Sequence, residues 1–419
     1  MTTVETASEE PRRGSLLVIF LTVFIDLLGF AMVLPLVPIY AEQFGTDESG
    51  WTIALLMSSF SIMQFLFAPL WGRLSDRIGR RPVLIIGLLG STVFYTLFGL
   101  ASVWKSLTWL FVTRIGAGIA GATIPTAQAY IADTTTLQTR ARGMALIGAA
   151  FGLGFTFGPL IGALSLHNSQ ATASPWPGYA AGILSGIATL LAIGLLPESL
   201  RPGNKAQHHD WLDLGALRDA LATPTIPAIL LVSFISVVSF GGFETTLSLL
   251  LKSKAFNFEL RHVFYYFAYI GLTLTLAQGV LVRRLATRVP ERGLASAGAV
   301  VSLLGFGLMV WASTAASLAL LLVASAVEVV GFALMTPSLQ ALISRRSDPA
   351  KQGGVLGISQ SVSALGRILG PIMAIPLFKA AVAYPYLAAS GLMLVGLFAL
   401  LFATRGGGDY SAEAARAKK

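Results

Sequence analysis

The sequence of 419 residues contains no cysteine, and this absence excludes several kinds of chemistry. Without thiols the chain has no disulfides, no thiolate metal ligands and no cysteine nucleophile. It also lacks the GxxxxGK[ST] loop that cradles nucleotide phosphates, so ATP is not the expected energy source. Only four histidines are present, and two of them, His208 and His209, are adjacent in a polar segment. The sequence therefore predicts no metal site.

Charge is also scarce, because Asp, Glu, Lys and Arg together make up 12% of the residues. Hydrophobic residues account for 55% and the mean hydropathy is +0.74, which exceeds what globular cores require. A spanning helix needs about 20 mostly apolar residues, and lipid-exposed backbone must satisfy its own hydrogen bonds. We therefore predict an all-α integral membrane protein with twelve transmembrane helices. The apolar runs cover approximately residues 15–41, 50–71, 82–103, 106–132, 143–166, 177–196, 225–251, 262–282, 293–312, 316–343, 354–378 and 384–404.

The net charge of +9 follows a membrane-topology pattern and does not indicate nucleic acid as a partner. With the N-terminus placed in the cytoplasm, most of the 29 Lys and Arg residues fall in cytoplasmic segments. We therefore expect both termini in the cytoplasm and the chain in the cell (inner) membrane. The loops on the other side contain only five basic residues: Lys105, Lys252, Lys254, Arg261 and Lys379.

An internal repeat divides the chain into two six-helix halves. Gly154, Gly158 and Pro159 recur 212 residues later as Gly366, Gly370 and Pro371. A match at one fixed offset indicates two copies of the same unit. We place a short surface helix at 211–221 in the polar linker. The predicted parts are a cytoplasmic stub at 1–14, a six-helix bundle at 15–196, a cytoplasmic linker at 197–224, a second bundle at 225–404 and a cytoplasmic tail at 405–419.

Charges inside membrane helices are candidates for function, because each costs a few kcal/mol to insert. Asp26 is the first candidate for carrying a proton; the alternative is that it satisfies backbone groups near a kink. Arg114 is either a fixed counter-charge for proton coupling or a structural pin. Glu244 lies beside two glycines, which favours a role with substrate or proton over bonding to neighbouring threonines. Glu328 faces either the cavity or a helix interface.

Several other side chains are candidates for lining a substrate cavity. Arg367 replaces Phe155 in the repeat, and it favours anionic substrates if it faces the cavity or pins a helix if it does not. Interhelical hydrogen bonding is the ordinary alternative for the amides, and packing is the ordinary alternative for the aromatic rings. The remaining candidates are Gln64, Phe240, Phe243, Gln340 and Gln360.

The stretch GRLSDRIGRRPVL concentrates charge between the second and third apolar runs. We place it in a cytoplasmic loop, where Asp76 can pair with an arginine or cap the third helix. Topology alone accounts for the excess of arginine, but it does not account for an aspartate among them. The conspicuous members are Gly72, Arg73, Asp76, Arg77, Arg80 and Arg81.

These patterns together resemble the major facilitator superfamily, and most closely its 12-helix drug/proton antiporters, including the tetracycline/proton antiporters. DRIGRR resembles their loop 2-3 signature, IDLLGFAMVLPLVP their helix 1 motif, and RIGAGIAGATIPTAQAYIAD, which ends at Asp133, their helix 4 motif. GFTFGPLIG resembles their helix 5 antiporter motif, with Gly154, Gly158, Pro159 and Gly162. The match is strongest over helices 1 to 6.

The resemblance implies transport by rocking of the two halves about a site at the membrane midplane, with helices 1, 4, 7 and 10 lining the cavity. It also implies that the arginine-rich stretch and Asp133 form a cytoplasmic gate. The tetracycline antiporters typically have an aspartate in helix 3 and a histidine in helix 8. Phe94 occupies the first position here and the eighth run contains no histidine, which argues against recognition of a metal–tetracycline complex.

The sequence thus predicts a monomeric, proton-coupled antiporter that exports amphiphilic, drug-like small molecules. It needs no cofactor, because the proton gradient supplies the energy. Protons are expected to bind at Asp26, Glu244 or both, with Arg114 and Glu328 as further coupling candidates. An organic-anion transporter that uses Arg114 and Arg367 as substrate ligands is the alternative, and a non-transporting receptor or scaffold is a third. No nucleophile–base pair is visible, so an enzyme is not expected.

Overall fold

The computed structural model describes residues 13–45, 47–136, 140–166, 173–200, 218, 220–223, 225–348 and 352–403. Within these residues the regular structure is entirely helical, and twelve helical spans are long and apolar enough to cross a membrane. This confirms the predicted fold class. The spans, numbered 1 to 12 in this order, are Leu16–Gln43, Trp51–Ile78, Arg80–Trp104, Leu107–Thr134, Leu146–Ser165, Trp176–Leu195, Ile226–Lys252, Leu260–Leu285, Glu291–Ala315, Leu318–Arg346, Gly354–Ala380 and Tyr384–Phe402.

Three of the spans are interrupted. Span 1 consists of the helices Arg13–Val33 and Leu36–Gln43, and the break coincides with Pro35, which has no N–H to continue the hydrogen-bond ladder. Span 4 breaks between Ala120 and Ile124. Span 8 passes through a π-helical turn at Ala277–Val282. Such irregular turns within the membrane are tolerated where neighbouring protein or water satisfies the backbone.

The two halves have the same packing plan, which confirms the internal repeat. In the first half, span 1 packs on spans 5 and 6, and span 3 packs on spans 4 and 6. In the second half, span 7 packs on spans 11 and 12, and span 9 packs on spans 10 and 12. Small residues permit the close approaches, as where Gly331 of span 10 meets Ser302 of span 9.

The halves meet along two related seams, span 2 against span 11 and span 5 against span 8. In the first seam the Ser58 hydroxyl donates to the carbonyl oxygen of Ile368 at 2.7 Å. In the second seam Gly271 faces the carbonyl of Phe155, so closely that an added Cβ would collide with it. Pro159 lies four residues after Phe155 and provides no N–H to that carbonyl. Both seams therefore depend on contacts at the level of the backbone.

Ion pairs and polar contacts join the halves at one end of the bundle, which we call the Glu42 end. Lys379 Nζ lies 2.5 Å from Glu42 Oε1, and the Arg261 guanidinium donates to the carbonyl of Leu166 at 3.0 Å. At the opposite end, the Asp76 end, the ion pairs among the described residues lie within one half or the other. The arrangement is therefore closed at the Glu42 end.

Asp47 organises the short connection between spans 1 and 2 at the closed end. Its carboxylate accepts hydrogen bonds from the Ser49 hydroxyl and from the backbone N–H groups of Trp51 and Thr52, at 3.0 and 2.8 Å for the latter two. These bonds, led by that of Ser49, hold the pKa of Asp47 well below its ordinary value. The carboxylate thus supplies partners for the first turn of span 2.

Three sequence predictions need correction or fall outside the description. The stretch from Gly72 is not a loop, because span 2 remains helical to Ile78 and only Gly79 separates it from span 3. Gly79 has a φ of 107°, a conformation that glycine adopts without strain. The proposed linker helix at 211–221 lies largely outside the described residues, as do residues 1–12 and 404–419.

Candidate functional site

Asp26 lies in the interior of the first half, where span 1 packs on spans 3 and 6. The Ser185 hydroxyl of span 6 donates to Asp26 Oδ1 at 3.0 Å. One turn away, Gly29 packs against Tyr95 and the carbonyl of Ala181, which brings span 1 close to both neighbours. Asp26 forms no ion pair with any residue that the structure describes. It is therefore an intramembrane carboxylate that accepts hydrogen bonds from neutral hydroxyls, those of Ser185 and Ser91.

Arg114 of span 4 is buried in the same half, with 2% of its surface exposed. Its guanidinium carbon lies 4.4 Å from the centre of the Phe60 ring, in the geometry of a cation–π contact. Gly118, one turn along span 4, packs on the backbone of Phe60 and so brings spans 2 and 4 together. Among the described residues, Arg114 Nε and Nη1 have no hydrogen-bond partner. Two donors of a buried cation are thus left for another ligand.

Tyr95 of span 3 links these two charges. It is buried, with 4% of its surface exposed, and it lies within electrostatic range of both Asp26 and Arg114. The sequence analysis missed this residue, because an uncharged tyrosine in an apolar run has no distinguishing pattern. The first half therefore holds a phenol within electrostatic range of both a carboxylate and a guanidinium.

The second half contains a charged cluster built from three spans. Glu244 of span 7 interacts electrostatically with Arg367 of span 11 and with Glu328 of span 10. Glu328 has 1% of its surface exposed, and its Oε2 has no partner within the described residues. The Arg367 side chain is exposed. We call Glu244, Glu328 and Arg367 the charged cluster.

Aromatic rings and polar groups lie next to this cluster. The rings of Phe240 and Phe332 stack with centroids 3.9 Å apart, and Phe243 lies 5.9 Å from Phe240. A small pocket whose lining residues are mostly Ser, Thr and Gln opens between spans 7, 10 and 11, and Gln340, a predicted cavity residue, lines it. The whole lining, called the polar pocket below, is Ser233, Ser236, Val237, Thr336, Leu339, Gln340, Ser359 and Ser363.

Two predicted cavity glutamines have other surroundings. Gln64 Nε2 donates to the carbonyl of Gly121 at 3.2 Å, at the break in span 4. This contact matches the interhelical role that was the alternative for Gln64. Gln360 is exposed and is not part of the lining of the polar pocket, although its neighbour Ser359 is.

Arg80 is the centre of the polar cluster at the Asp76 end. Its guanidinium pairs with Asp76 one turn earlier and with Asp133 of span 4 at 3.2 Å, and it donates to the Ser75 hydroxyl at 2.6 Å. Arg73 and Arg77 are exposed, and an added Cβ on Gly72 would meet open space. Of the predicted gate residues, Arg80, Asp76 and Asp133 are therefore the ones brought into direct contact.

Glu198 is a functional candidate that the sequence analysis missed. Its carboxylate accepts the backbone N–H groups of Arg80 and Arg81, at 2.9 and 3.1 Å, and so caps the start of span 3. The Arg81 side chain donates to the carbonyl of Ile193 at 2.5 Å, which ties the same turn to span 6. Glu198 follows Pro197 directly after span 6, and an acid in that place was the available signal.

The antiporter-motif glycines form the surface of span 5 that other spans approach. Gly154 packs against Leu27 and Gly158 against the carbonyl of Leu28, both on span 1. Gly162 packs against the Phe264 ring of span 8, across the seam between the halves. The motif thus places span 5 between the Asp26 helix and the opposite half.

Comparison with known proteins decides the family. The family model of the Major Facilitator Superfamily matches residues 19–371 and 267–416. The chain belongs to this superfamily. It is 31% identical over 373 residues to the class C tetracycline resistance protein of Escherichia coli, covering 88% of this chain and 90% of that protein. It is 32% identical over 450 residues to human Major facilitator superfamily domain-containing protein 10, covering 94% of this chain and 93% of that protein.

Solved structures place this superfamily member among transporters. The crystal structure of the human organic anion transporter MFSD10 matches with a TM-score of 0.70 and 28% identity, covering 93% of this chain and 99% of that one. A bacterial homologue of the human lysosomal transporter Spinster, in an inward-facing and occupied conformation, matches with a TM-score of 0.74 over 97% of this chain. Its identity is 14%, so this likeness concerns the fold alone.

Membership in the superfamily makes this chain a transporter of a small molecule and not an enzyme. The buried charges then have a place in the two-half design, in which substrates bind near the midplane between the repeats. Each half holds its own set of intramembrane charges: Asp26 and Arg114 in the first, and the charged cluster in the second.

Proposed function

We propose that this superfamily member is a proton-coupled antiporter that exports cationic or neutral amphiphilic molecules by alternating access. The observation that carries the proposal is Asp26, a carboxylate inside a membrane-spanning helix whose described partners are the neutral hydroxyls of Ser185 and Ser91. Such a carboxylate can gain or lose a proton without breaking an ion pair. The 31% identity to a tetracycline resistance protein supports an export role.

The contacts at the two ends suggest how the halves alternate. In the state described here, the Glu42–Lys379 pair and the Arg261 contact close one end. In the other state these contacts separate, while the Arg80 cluster docks against the second half and closes the Asp76 end. We place the Asp76 end and both termini in the cytoplasm, because most basic residues lie on that side. We further propose that the protein works as a monomer in the cell membrane.

One proton per cycle supplies enough energy for this work. A charge crossing the membrane gains about 2.3 kcal/mol per 100 mV. Since 1.4 kcal/mol corresponds to a factor of ten, 100 mV sustains roughly fifty-fold accumulation of a neutral substrate per proton, and a pH gradient adds to it. Exchange of one monovalent cation for one proton moves no net charge, so the pH gradient alone drives it. No cofactor is needed for such a cycle.

Transport of organic anions is a second candidate, and a specific observation favours it. Buried Arg114 has two guanidinium nitrogens without a described partner, and these are donors suited to a carboxylate or sulfonate. Arg367 is exposed beside Glu244 in the other half. The 28% identical human structure is described as an organic anion transporter, which supports this alternative.

Uptake into proteoliposomes under an imposed pH gradient tests both candidates. The probes are ethidium as the cation and carboxyfluorescein as the anion, and the proteins are wild type, Asp26→Asn and Glu48→Gln. Glu48 is an exposed carboxylate in a loop, so its variant is the matched control. Gradient-dependent ethidium flux that is lost only in Asp26→Asn supports antiport. Flux of carboxyfluorescein alone would overturn the cation proposal and favour the anion candidate.

A further inference from the structure

We propose that the substrate of the transport activity described above binds the second half in an extended pose. Its ionic group lies at the charged cluster, its aromatic body lies against Phe240 and Phe332, and an N–H or O–H group at its far end enters the polar pocket. This inference rests on the proposed transport function and adds the chemical form of the substrate.

The helix geometry places these three elements in a row. On span 7, Ser233, Val237, Phe240 and Glu244 recur every three or four residues, so they share one face. At a rise of about 1.5 Å per residue, Val237 and Glu244 are separated by about 10 Å along the axis. Span 11 gives a similar length, because Ser359, Ser363 and Arg367 also share a face. The row therefore fits a molecule about 10 to 12 Å long.

Three of the five hydroxyls that line the polar pocket are positioned to accept hydrogen bonds. Ser233 donates its hydrogen to the carbonyl of Ile229 at 2.9 Å, Thr336 to that of Phe332 at 3.0 Å, and Ser363 to that of Ser359 at 2.9 Å. Each oxygen has used its one hydrogen and still has lone pairs for a ligand. The lining contains no charged side chain. The pocket is thus suited to a neutral N–H or O–H donor.

The other two elements favour a planar cation. The stacked rings of Phe240 and Phe332 offer an apolar surface beside the pocket. The charged cluster has two carboxyl groups, on Glu244 and Glu328, and one guanidinium, on Arg367. Each carboxyl group, when ionised, attracts a cation and repels a second anion.

Two fluorescent dyes test the pocket directly. Rhodamine 123 is a planar cation with free amino groups, and tetramethylrhodamine methyl ester has the same charge and ester but methyl groups in place of every N–H. Their dissociation constants are measured by fluorescence anisotropy on the purified full chain in detergent. We expect wild type to bind rhodamine 123 about three- to tenfold more tightly than tetramethylrhodamine methyl ester, which is the contribution of one or two hydrogen bonds.

The double variant Thr336→Val, Ser363→Ala removes two hydrogen-bond acceptors from the pocket. We expect it to bind the two dyes with equal affinity, because only the affinity for rhodamine 123 should fall. Ser338→Ala is the matched control, because Ser338 is buried on span 10 and bonds the carbonyl of Leu334 outside the pocket lining. If the double variant does not fold, Gln340→Ala is measured in the same way. Equal binding of both dyes by wild type, or a preference that survives in the pocket variant, would overturn the inference.

The same dyes separate failure of the inference from failure of the proposed function. Flux of tetramethylrhodamine methyl ester driven by a pH gradient, with no preference for rhodamine 123, rejects the pocket and leaves antiport standing. Binding with the expected preference but without gradient-driven flux rejects antiport and leaves the binding site. Absence of binding by either dye rejects the pose.

Discussion

The ion pair between Glu42 and Lys379 is expected to hold the Glu42 end closed, and Glu42→Gln should loosen it. The two side chains are 43% and 20% exposed, so solvent screens part of their attraction. Partly exposed pairs of this kind contribute about 0.2 to 1 kcal/mol. Because the pair exists only while this end is closed, its loss should move the equilibrium by up to about fivefold toward states open at this end.

The absence of cysteine makes this shift measurable by spin-label distances, since introduced cysteines are the only labelling sites. Labels at Glu48 and Lys254, two exposed positions in loops of different halves, report on the opening. We expect Glu42→Gln to increase the long-distance population and added salt to reduce the difference from wild type. Glu259→Gln is the control, because Glu259 lies near Lys252 of its own half. A distance distribution identical to that of wild type would refute the role of the pair.

Three further predictions follow from other contacts. Gly271→Val should push span 8 away from the Phe155 carbonyl and reduce transport several-fold. Gly307→Val should leave transport unchanged, because an added Cβ there meets open space; measurements of flux and of crosslinking between spans 5 and 8 test both. Asp47→Ala should lower the melting temperature at pH 7. Because the folded pKa of Asp47 is depressed, the difference in melting temperature from wild type should be full above about pH 4 and should shrink below it, and thermal scans at a series of pH values test this. Glu198→Ala should destabilise the start of span 3 by about 1 kcal/mol, the usual loss of stability when a helix cap is removed, and should increase hydrogen exchange there. Glu259→Ala should leave hydrogen exchange at the start of span 3 unchanged.

The gross architecture was predictable because it depends on segment length and composition. Each run of about 20 apolar residues had to become a helix, and the 212-residue offset of the Gly and Pro pattern revealed the two halves. The predicted end of span 2 was wrong, because the hydropathy falls at Gly72 while the helix continues to Ile78. Arg and Asp are compatible with helix once the chain leaves the membrane, so polarity alone does not mark a helix end.

The candidate site was only partly predictable, because rotation of one helix against another is not encoded in spacing. The sequence identified Asp26, Arg114 and Glu244 as costly charges, but it did not reveal that Glu328 lies within electrostatic range of Glu244. Glu198 escaped notice because its partners are backbone N–H groups 118 and 117 residues away in the chain. Such contacts depend on tertiary packing of spans 3 and 6.

Substrate-driven proton movement tests the central claim most directly. Proteoliposomes that contain the pH dye pyranine, with the membrane potential clamped by potassium and valinomycin, are given an inward gradient of ethidium. Antiport predicts that the lumen becomes alkaline as ethidium enters, and that Asp26→Asn abolishes this change while Glu48→Gln preserves it. Entry of ethidium through the wild-type protein without any change in luminal pH would contradict proton coupling.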